Sequence, residues 1–112
     1  VGGAYKVSMT LGPGFLEKVY ENALVGELGM RGLRVDQQRG VTVRYEGTVV
    51  GEYVADLLVE DSIIVELKAL PGLDRNHRMQ CLNYLRATNL RLALLVNFGR
   101  PRLEVARIAL NL

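Results

Sequence analysis

The sequence predicts one α/β domain, a mixed β-sheet flanked by helices, with the element order ααβββαββ. Its 112 residues, 49% of them hydrophobic, are enough for one compact core and too few for two ordinary domains. The spacing of apolar residues also changes along the chain, from the helical period to strand alternation and back, which is typical of an α/β protein. We therefore interpret residues 1–112 as a single domain.

Two helices are predicted before the first strand. Apolar residues recur at helical spacing within residues 1–9, and the breaker at 11–14, which contains Gly-Pro-Gly, ends this helix. A second helix begins near Phe15 and closes in the region 29–32, which has glycine at both ends.

Three strands are predicted next. Apolar and polar residues alternate strictly up to Tyr45, which indicates a strand within 33–45 that leads into a turn at 46–47. The segments 49–59 and 63–70 are dense in Val, Ile and Leu, and this density predicts strands that lie inside the sheet and not at its edges.

The last third of the chain predicts one helix and two strands. A helix spans about 74–88, with Asp74 as its N-cap. Buried strands follow over 91–98 and 102–110. The apolar stripe of the helix consists of Met79, Leu82 and Leu85.

Composition excludes several classes of site. One cysteine and one histidine cannot build a Cys/His zinc cluster, so a metal would be held mainly by carboxylate and carbonyl oxygens, which suit magnesium, manganese or calcium. No apolar run is long enough to cross a bilayer, and the first residues lack a signal-peptide pattern. We expect a protein of the reducing cytoplasm that does not associate with membranes.

Charge is unevenly distributed along the chain. Residues 73–112 carry seven arginines against two acidic residues, a net charge of +5, whereas residues 1–72 carry seven basic and ten acidic residues, a net charge of −3. A basic half beside an acidic half fits a protein that binds a polyanion on one surface and cations nearby. The alternative is that the arginines are dispersed, solvated residues.

Glu66 and Lys68 are the sharpest local departure from the hydrophobic pattern, because they interrupt a strand of Val, Ile, Leu and Ala. Residues two apart in a strand share a face, so these two charged side chains point the same way. Asp56 interrupts the preceding apolar strand in a similar manner.

The register of this hairpin decides whether the two carboxylates meet. If a three-residue loop at 60–62 pairs residue 59 with residue 63, Asp56 faces Glu66 and both carboxylates can share one cation. A two-residue loop would shift the pairing by one residue and turn Asp56 to the other face.

Two interpretations of these charges stay open on the local pattern. One is a buried ion pair between Lys68 and a carboxylate, with no catalytic purpose. In the other, Asp56, Glu66 and the carbonyl of Leu67 hold a metal, and Lys68 orients or deprotonates the attacking water.

Asp56 followed by Glu66-Leu67-Lys68 resembles the D…(D/E)xK signature of the PD-(D/E)XK nuclease superfamily. Gln80 and Tyr84 resemble the QxxxY helix motif of its RecB-like branch. More narrowly, four stretches that together span nearly the whole chain resemble the GxxExxR protein family of small bacterial and archaeal proteins. These stretches are LGPGFLEKVYENAL, VADLLVEDSIIVELKAL, QCLNYLR and LLVNFG.

The resemblance implies a restriction-endonuclease-like fold and adds residues to the site. It implies that Glu17 joins the metal site from a helix, and that Gln80 and Tyr84 contact substrate phosphate or steady the lysine. The alternatives are a solvated glutamate and a polar helix edge. His77 is expected to be a bystander. The arginine of the family pattern is not found at its place, where Tyr20 stands.

The resulting hypothesis is a Mg²⁺- or Mn²⁺-dependent nuclease that hydrolyses nucleic acid, with DNA favoured over RNA, through metal-activated water. Arg75, Arg78 and Arg86 lie on the same predicted helix as Gln80, and are expected to bind phosphates. The alternative is a catalytically silent nucleic-acid-binding or protein-interaction module that retains the nuclease fold. The small size of the chain favours a module that acts as a homo-oligomer or together with a partner protein.

Overall fold

The computed structural model describes residues 1–110 and confirms the predicted element order. Residues 111 and 112, which the predicted domain includes, lie outside the described part of the chain. The elements are α1 (Gly2–Leu11), α2 (Glu17–Met30), β1 (Val35–Tyr45), β2 (Thr48–Val59), β3 (Ile63–Lys68), α3 (Arg75–Thr88), β4 (Leu92–Asn97) and β5 (Glu104–Ala109).

The five strands form one mixed sheet in the order β1-β2-β3-β4-β5. Neighbouring strands are antiparallel, except that β3 and β4 run parallel and are connected by α3. The prediction that β2 and β3 lie inside the sheet is confirmed, because the edge strands are β1 and β5. The charged positions of β3 therefore lie at the centre of the sheet.

Helices cover both faces of the sheet. On one face, Leu24 and Leu28 of α2 pack in a buried cluster with Leu67 of β3. On the other face, Cys81 and Leu85 of α3 pack in a second buried cluster, which includes strands β2 to β5. Burial of these apolar side chains, at about 25 cal/mol per Å² of area removed from water, holds the three layers together. No helix within residues 1–110 has both the length and the apolar character needed to cross a membrane.

The buried face of α3 differs from the predicted stripe. Met79 is 42% exposed, so its assignment to the stripe is wrong, whereas Cys81, Tyr84 and Leu85 are buried. These three residues follow the i, i+3, i+4 spacing of one helix face. The predicted stripe contained only the most hydrophobic side chains of the helix. The packed face instead includes the thiol of Cys81 and the phenol of Tyr84.

In the hairpin of β1 and β2, the alternation of side chains between the two sheet faces is interrupted at one position of β2. The pairs Gln37↔Leu57 and Arg39↔Ala55 keep one register, but the residues between them, Gln38 and Asp56, are not paired. Leu57 packs on the α1/α2 side, whereas Ala55 packs on the α3 side. Residues two apart share a face in a regular strand, so β2 turns over at Asp56. Gln38, opposite, has the left-handed φ of 58°.

Candidate active site

The ladder between β2 and β3 ends at the candidate site. Val59 pairs with Ile63, and the ladder continues only as far as Leu57↔Val65. The predicted register and three-residue loop are therefore confirmed, with Glu60 and Asp61 of the loop both at left-handed φ. The next opposed positions in this register are Asp56 and Glu66.

Asp56 and Glu66 bond to the backbone across the gap where the ladder stops. A Glu66 carboxylate oxygen accepts from the Asp56 N–H at 2.7 Å, and an Asp56 carboxylate oxygen accepts from the Leu67 N–H at 2.8 Å. Within residues 1–110 neither carboxylate receives a hydrogen bond from a side chain. The two residues thus lie opposite each other at the point where β2 and β3 separate, each with its carboxylate bonded to the backbone of the other strand.

Burial and mutual repulsion disfavour the charged forms of these carboxylates and raise their pKa values. Burial raises the pKa of Glu66 to about 8, and the charge of Asp56 contributes to this increase. Burial also raises the pKa of Asp56, although the hydrogen bond from Leu67 opposes the change. Glu17 is exposed, yet partial desolvation and the charge of Asp56 raise its pKa too. A cation placed among these groups would relieve their mutual repulsion.

Lys68 stands near the carboxylates without pairing with them. Within the described range no ion pair shorter than 4.0 Å joins Lys68 to a carboxylate, so the alternative of a direct structural ion pair is not formed. Its charge nevertheless lowers the pKa of Asp56 and Glu66 somewhat. Lys68 is half-buried and lines a cavity of about 280 Å³ together with Glu17.

The donor set fits a hard divalent cation that completes its shell with other ligands. Mg²⁺ is commonly bound through one or two carboxylates plus water and substrate phosphate. Asp56 and Glu66 supply two such carboxylates, with raised pKa values that a cation would lower. No three Asp, Glu, His or Cys side chains in residues 1–110 are close enough to hold a metal by themselves. Glu17, whose pKa responds to Asp56, therefore does not complete a three-carboxylate cluster with the pair in the described residues.

Tyr20 explains how Glu17 is placed at the start of α2. Its ring is 1% exposed and stacks on Phe98 at 4.8 Å, while its hydroxyl donates to the Gly12 carbonyl at 2.6 Å and accepts from the Phe15 N–H at 3.1 Å. These bonds hold residues 12–16 in a loop, so α2 begins at Glu17 and not near Phe15.

Glu21 is a positioning residue that the sequence did not reveal. It is 2% exposed, and one carboxylate oxygen accepts from the side chains of Gln37 at 2.6 Å, Gln38 at 2.9 Å and Lys18 at 3.0 Å. Gln38 lies opposite Asp56 and has the left-handed backbone. Glu21 therefore fixes the reversal that directs Asp56 toward Glu66.

Asn97 and Gly99 fix the chain where it leaves β3, and neither residue was singled out from the sequence. The Asn97 side chain is fully buried, accepts from the Leu70 N–H and donates to the Leu70 carbonyl, both at 2.9 Å. A Cβ at Gly99 would lie 2.2 Å from Leu70 backbone atoms, so only glycine fits there. This clamp positions the segment that directly follows Lys68.

The predicted residues of α3 divide into two groups. Gln80, Tyr84 and Arg86 line a groove between α3 and the β1–β2 hairpin. Arg75 and Arg78 are exposed elsewhere on α3 and do not line it. Arg44 and Tyr53 line the same groove from the hairpin and were not predicted, because nothing in the local sequence pattern shows that the hairpin reaches α3.

His77 has a structural role at the N-terminus of α3. Its ring Nδ1 accepts from the Asp74 N–H, and the Asp74 carboxylate accepts from the His77 N–H, both at 3.1 Å. This reciprocal pair is a capping box, so the predicted N-cap is confirmed. The ring is committed to the cap, as expected of a residue outside the site.

Fold and site together define a class of protein. It is an α/β protein whose mixed sheet splits at a pair of carboxylates, with a lysine two residues after the second carboxylate on β3. The family model of the PD-(D/E)XK nuclease superfamily matches residues 1–108. The chain belongs to this superfamily, and its architecture is consistent with the restriction-endonuclease-like fold. Neither the curated proteins nor the solved structures include a match to this chain.

Proposed function

We propose that this chain is a divalent-metal-dependent nuclease that hydrolyses the phosphodiester bonds of nucleic acid, with DNA as the favoured substrate. The observation that carries the proposal is the Asp56–Glu66 pair. Glu66 is buried and Asp56 is half-buried, the pKa values of both are raised, and no cationic side chain in the described residues pairs with them. Carboxylates held in this way suit a divalent cation better than they suit a folded core.

Each residue of the site has a proposed task. Asp56, Glu66 and the Leu67 carbonyl would hold Mg²⁺ or Mn²⁺, with Glu17 as a further ligand from α2. The bound cation would supply charge neutralisation at the scissile phosphate and activate the attacking water.

The remaining groups act on water and substrate. Lys68 orients the attacking water or accepts its proton, because it is the basic side chain beside the pair. Gln80 and Tyr84 contact substrate phosphate or steady the lysine from α3. Burial and the charge of Glu66 raise the pKa of Tyr84 to about 12, so its hydroxyl stays a hydrogen-bond donor at neutral pH.

A second function has one specific observation in its favour. Residues 1–110 contain no three-carboxylate cluster of metal-binding dimensions, which fits a silent nucleic-acid-binding or protein-interaction module that retains the nuclease fold. Such a module would work as a homo-oligomer or with a partner protein. It would bind nucleic acid or protein without metal-dependent cleavage.

Two finer assignments accompany the proposal. The Gln80–Tyr84 spacing on α3 supports placement in the RecB-like branch, and the four stretches quoted above support the GxxExxR family, although Tyr20 replaces its arginine. The composition, with one cysteine, supports the cytoplasm as the compartment.

Cleavage of a mixed panel of single- and double-stranded DNA and RNA tests the proposal. With Mg²⁺ or Mn²⁺ the protein should cut at least one substrate, and chelation should stop the reaction. Lys68→Ala should reduce the rate by at least about a hundredfold, the scale of a lost general base. Arg107→Gln, on the exposed face of edge strand β5, is the matched control and should cut normally. Cleavage that Lys68→Ala retains would contradict the proposal, whereas metal-independent binding without cleavage would support the silent module.

A further inference from the structure

A groove of about 780 Å³ runs between the distal part of the β1–β2 hairpin and α3. It is distinct from the cavity that Glu17 and Lys68 line. The hairpin contributes Tyr53 and Arg44, and α3 contributes Gln80, Asn83, Tyr84 and Arg86 among the lining residues.

The charge of the groove suits an anion. No acidic residue is among its lining residues, whereas Arg44 and Arg86 both are. Neither arginine forms an ion pair in the described part of the chain, and Arg86 only donates to the Asn83 side-chain oxygen at 3.3 Å. Two unpaired guanidinium groups in a groove whose described lining residues include no carboxylate can bind phosphates.

Tyr53 gives the groove an aromatic surface. Its side chain is 53% exposed, although its ring lies 6.1 Å from the ring of Tyr84 at an angle of 50°. Tyr84 itself is 5% exposed and supports Tyr53 from below. A half-exposed tyrosine in a groove that arginines also line is an arrangement on which nucleic-acid bases stack.

The position of the groove links it to the carboxylates. Tyr53 precedes Asp56 by three residues on β2, and the Tyr84 hydroxyl lies 3.5 Å from the carbonyl oxygen of Val54, two residues before Asp56. One side of the groove therefore lies next to the segment of β2 that carries Asp56. The volume is that of a site for a drug-sized ligand, which is comparable to one or two nucleotides and much smaller than a duplex.

We propose that this groove binds a single-stranded polynucleotide, with phosphates on Arg44 and Arg86 and one base stacked on Tyr53, and leads it to Asp56 and Glu66. The inference rests on the proposed function, because it names the substrate class of the same site. It separates single strands from duplexes, which the carboxylate pair alone does not do.

Fluorescence anisotropy without divalent metal tests the groove apart from any cleavage. The probes are oligo(dT), oligo(dU) and oligo(U) of about 12 nucleotides, an abasic deoxyribose phosphate strand of that length, and a DNA duplex. Wild type should bind the base-bearing strands more tightly than the abasic strand and the duplex. A preference between oligo(dU) and oligo(U), which carry the same base, would identify the sugar, and either preference supports the proposal.

The variants separate stacking from charge. Tyr53→Leu should weaken oligo(dT) binding about tenfold and leave abasic binding unchanged, since one stacked base is lost. Arg44→Gln should weaken both strands alike and lower the log–log salt slope by about one. Arg107→Gln removes the same charge from the opposite sheet edge and should change neither. Circular dichroism confirms that each variant is folded.

The results distinguish this inference from the nuclease proposal. Duplex binding as tight as single-strand binding, or oligo(dT) affinity that Tyr53→Leu does not alter, would overturn the groove assignment even if the protein cuts DNA. The expected binding pattern without metal-dependent cleavage would support the groove assignment and contradict the proposed nuclease activity.

Discussion

Glu21 and Glu66 are both almost fully buried glutamates, 2% and 4% exposed, yet their surroundings are opposite. Glu21 receives three side-chain hydrogen bonds, from Gln37, Gln38 and Lys18. Burial raises its pKa, but these donors outweigh burial and the pKa is lowered overall. Glu66 has one backbone donor, and burial raises its pKa to about 8.

The contrast shows that side chains within the fold satisfy Glu21, whereas the Glu66 carboxylate has only a backbone donor and is open to the cation that we propose. Glu27 resembles Glu21, because hydrogen bonds from Arg31 and Lys6 lower its pKa. The fold thus supplies donors to buried carboxylates where they serve structure. Within residues 1–110 it provides no side-chain donor to Asp56 or Glu66, and the proposed cation would neutralise their charges.

The largest effect is expected at Glu21. Glu21→Ala leaves Gln37 and Gln38 without their acceptor and releases the backbone reversal opposite Asp56. We expect a loss of about 3 kcal/mol in the free energy of unfolding, typical of a broken buried polar network. Urea unfolding measures it. A loss below about 1 kcal/mol would show that Glu21 is not required for the local structure.

A smaller effect of the opposite sign is expected at Glu66. The pKa of Glu66 in the folded protein, about 8, lies above the ordinary value of 4.5. The contribution of this group to the free energy of unfolding is therefore fully present below pH 4.5 and is lost as pH rises through 8. Glu66→Gln keeps the acceptor for the Asp56 N–H but cannot ionise. At pH 9 without metal it should therefore be more stable than wild type, by at least about 1 kcal/mol, since one pKa unit corresponds to about 1.4 kcal/mol.

Urea titrations from pH 5 to pH 9 measure this linkage, and Glu27→Gln is the matched control. The pKa of Glu27 is lowered, so its contribution is present above the unfolded pKa and is lost as pH falls through the folded one. Its removal should not stabilise the protein at pH 9. Severe unfolding of Glu66→Gln would instead show that the Asp56–Glu66 pair is structural.

The smallest effect on stability is expected at Lys68. Because no ion pair joins it to a carboxylate in the described residues, Lys68→Ala should change the free energy of unfolding by less than about 1 kcal/mol, although we expect it to slow cleavage at least about a hundredfold. Thermal and urea unfolding check this. A loss above about 3 kcal/mol would restore the interpretation of Lys68 as a buried structural ion.

The central part of the site was predictable because it depends on local rules. The three-residue loop fixes the register, and charged residues inside an apolar strand mark Asp56, Glu66 and Lys68. The element order followed from hydrophobic periodicity in the same way, and so did the N-cap at Asp74.

What the sequence could not supply depends on contacts between distant segments. The reversal at Gln38 requires Glu21 from α2, and the exit of β3 is fixed by Asn97 from β4. The packed face of α3 follows from how closely the helix approaches the sheet at Cys81, not from the hydrophobicity of Met79. None of these contacts between distant segments produces a periodic pattern in the sequence.

Titration calorimetry with Mn²⁺ at pH 7 tests most directly whether Asp56 and Glu66 form a cation site. Wild type should bind the ion and release about one proton in doing so, because the Glu66 pKa of about 8 leaves that carboxyl protonated before binding. Glu66→Gln should lose both binding and proton release, while Glu27→Gln should keep them. Equal Mn²⁺ affinity in wild type and Glu66→Gln, or no binding by wild type, would contradict the account.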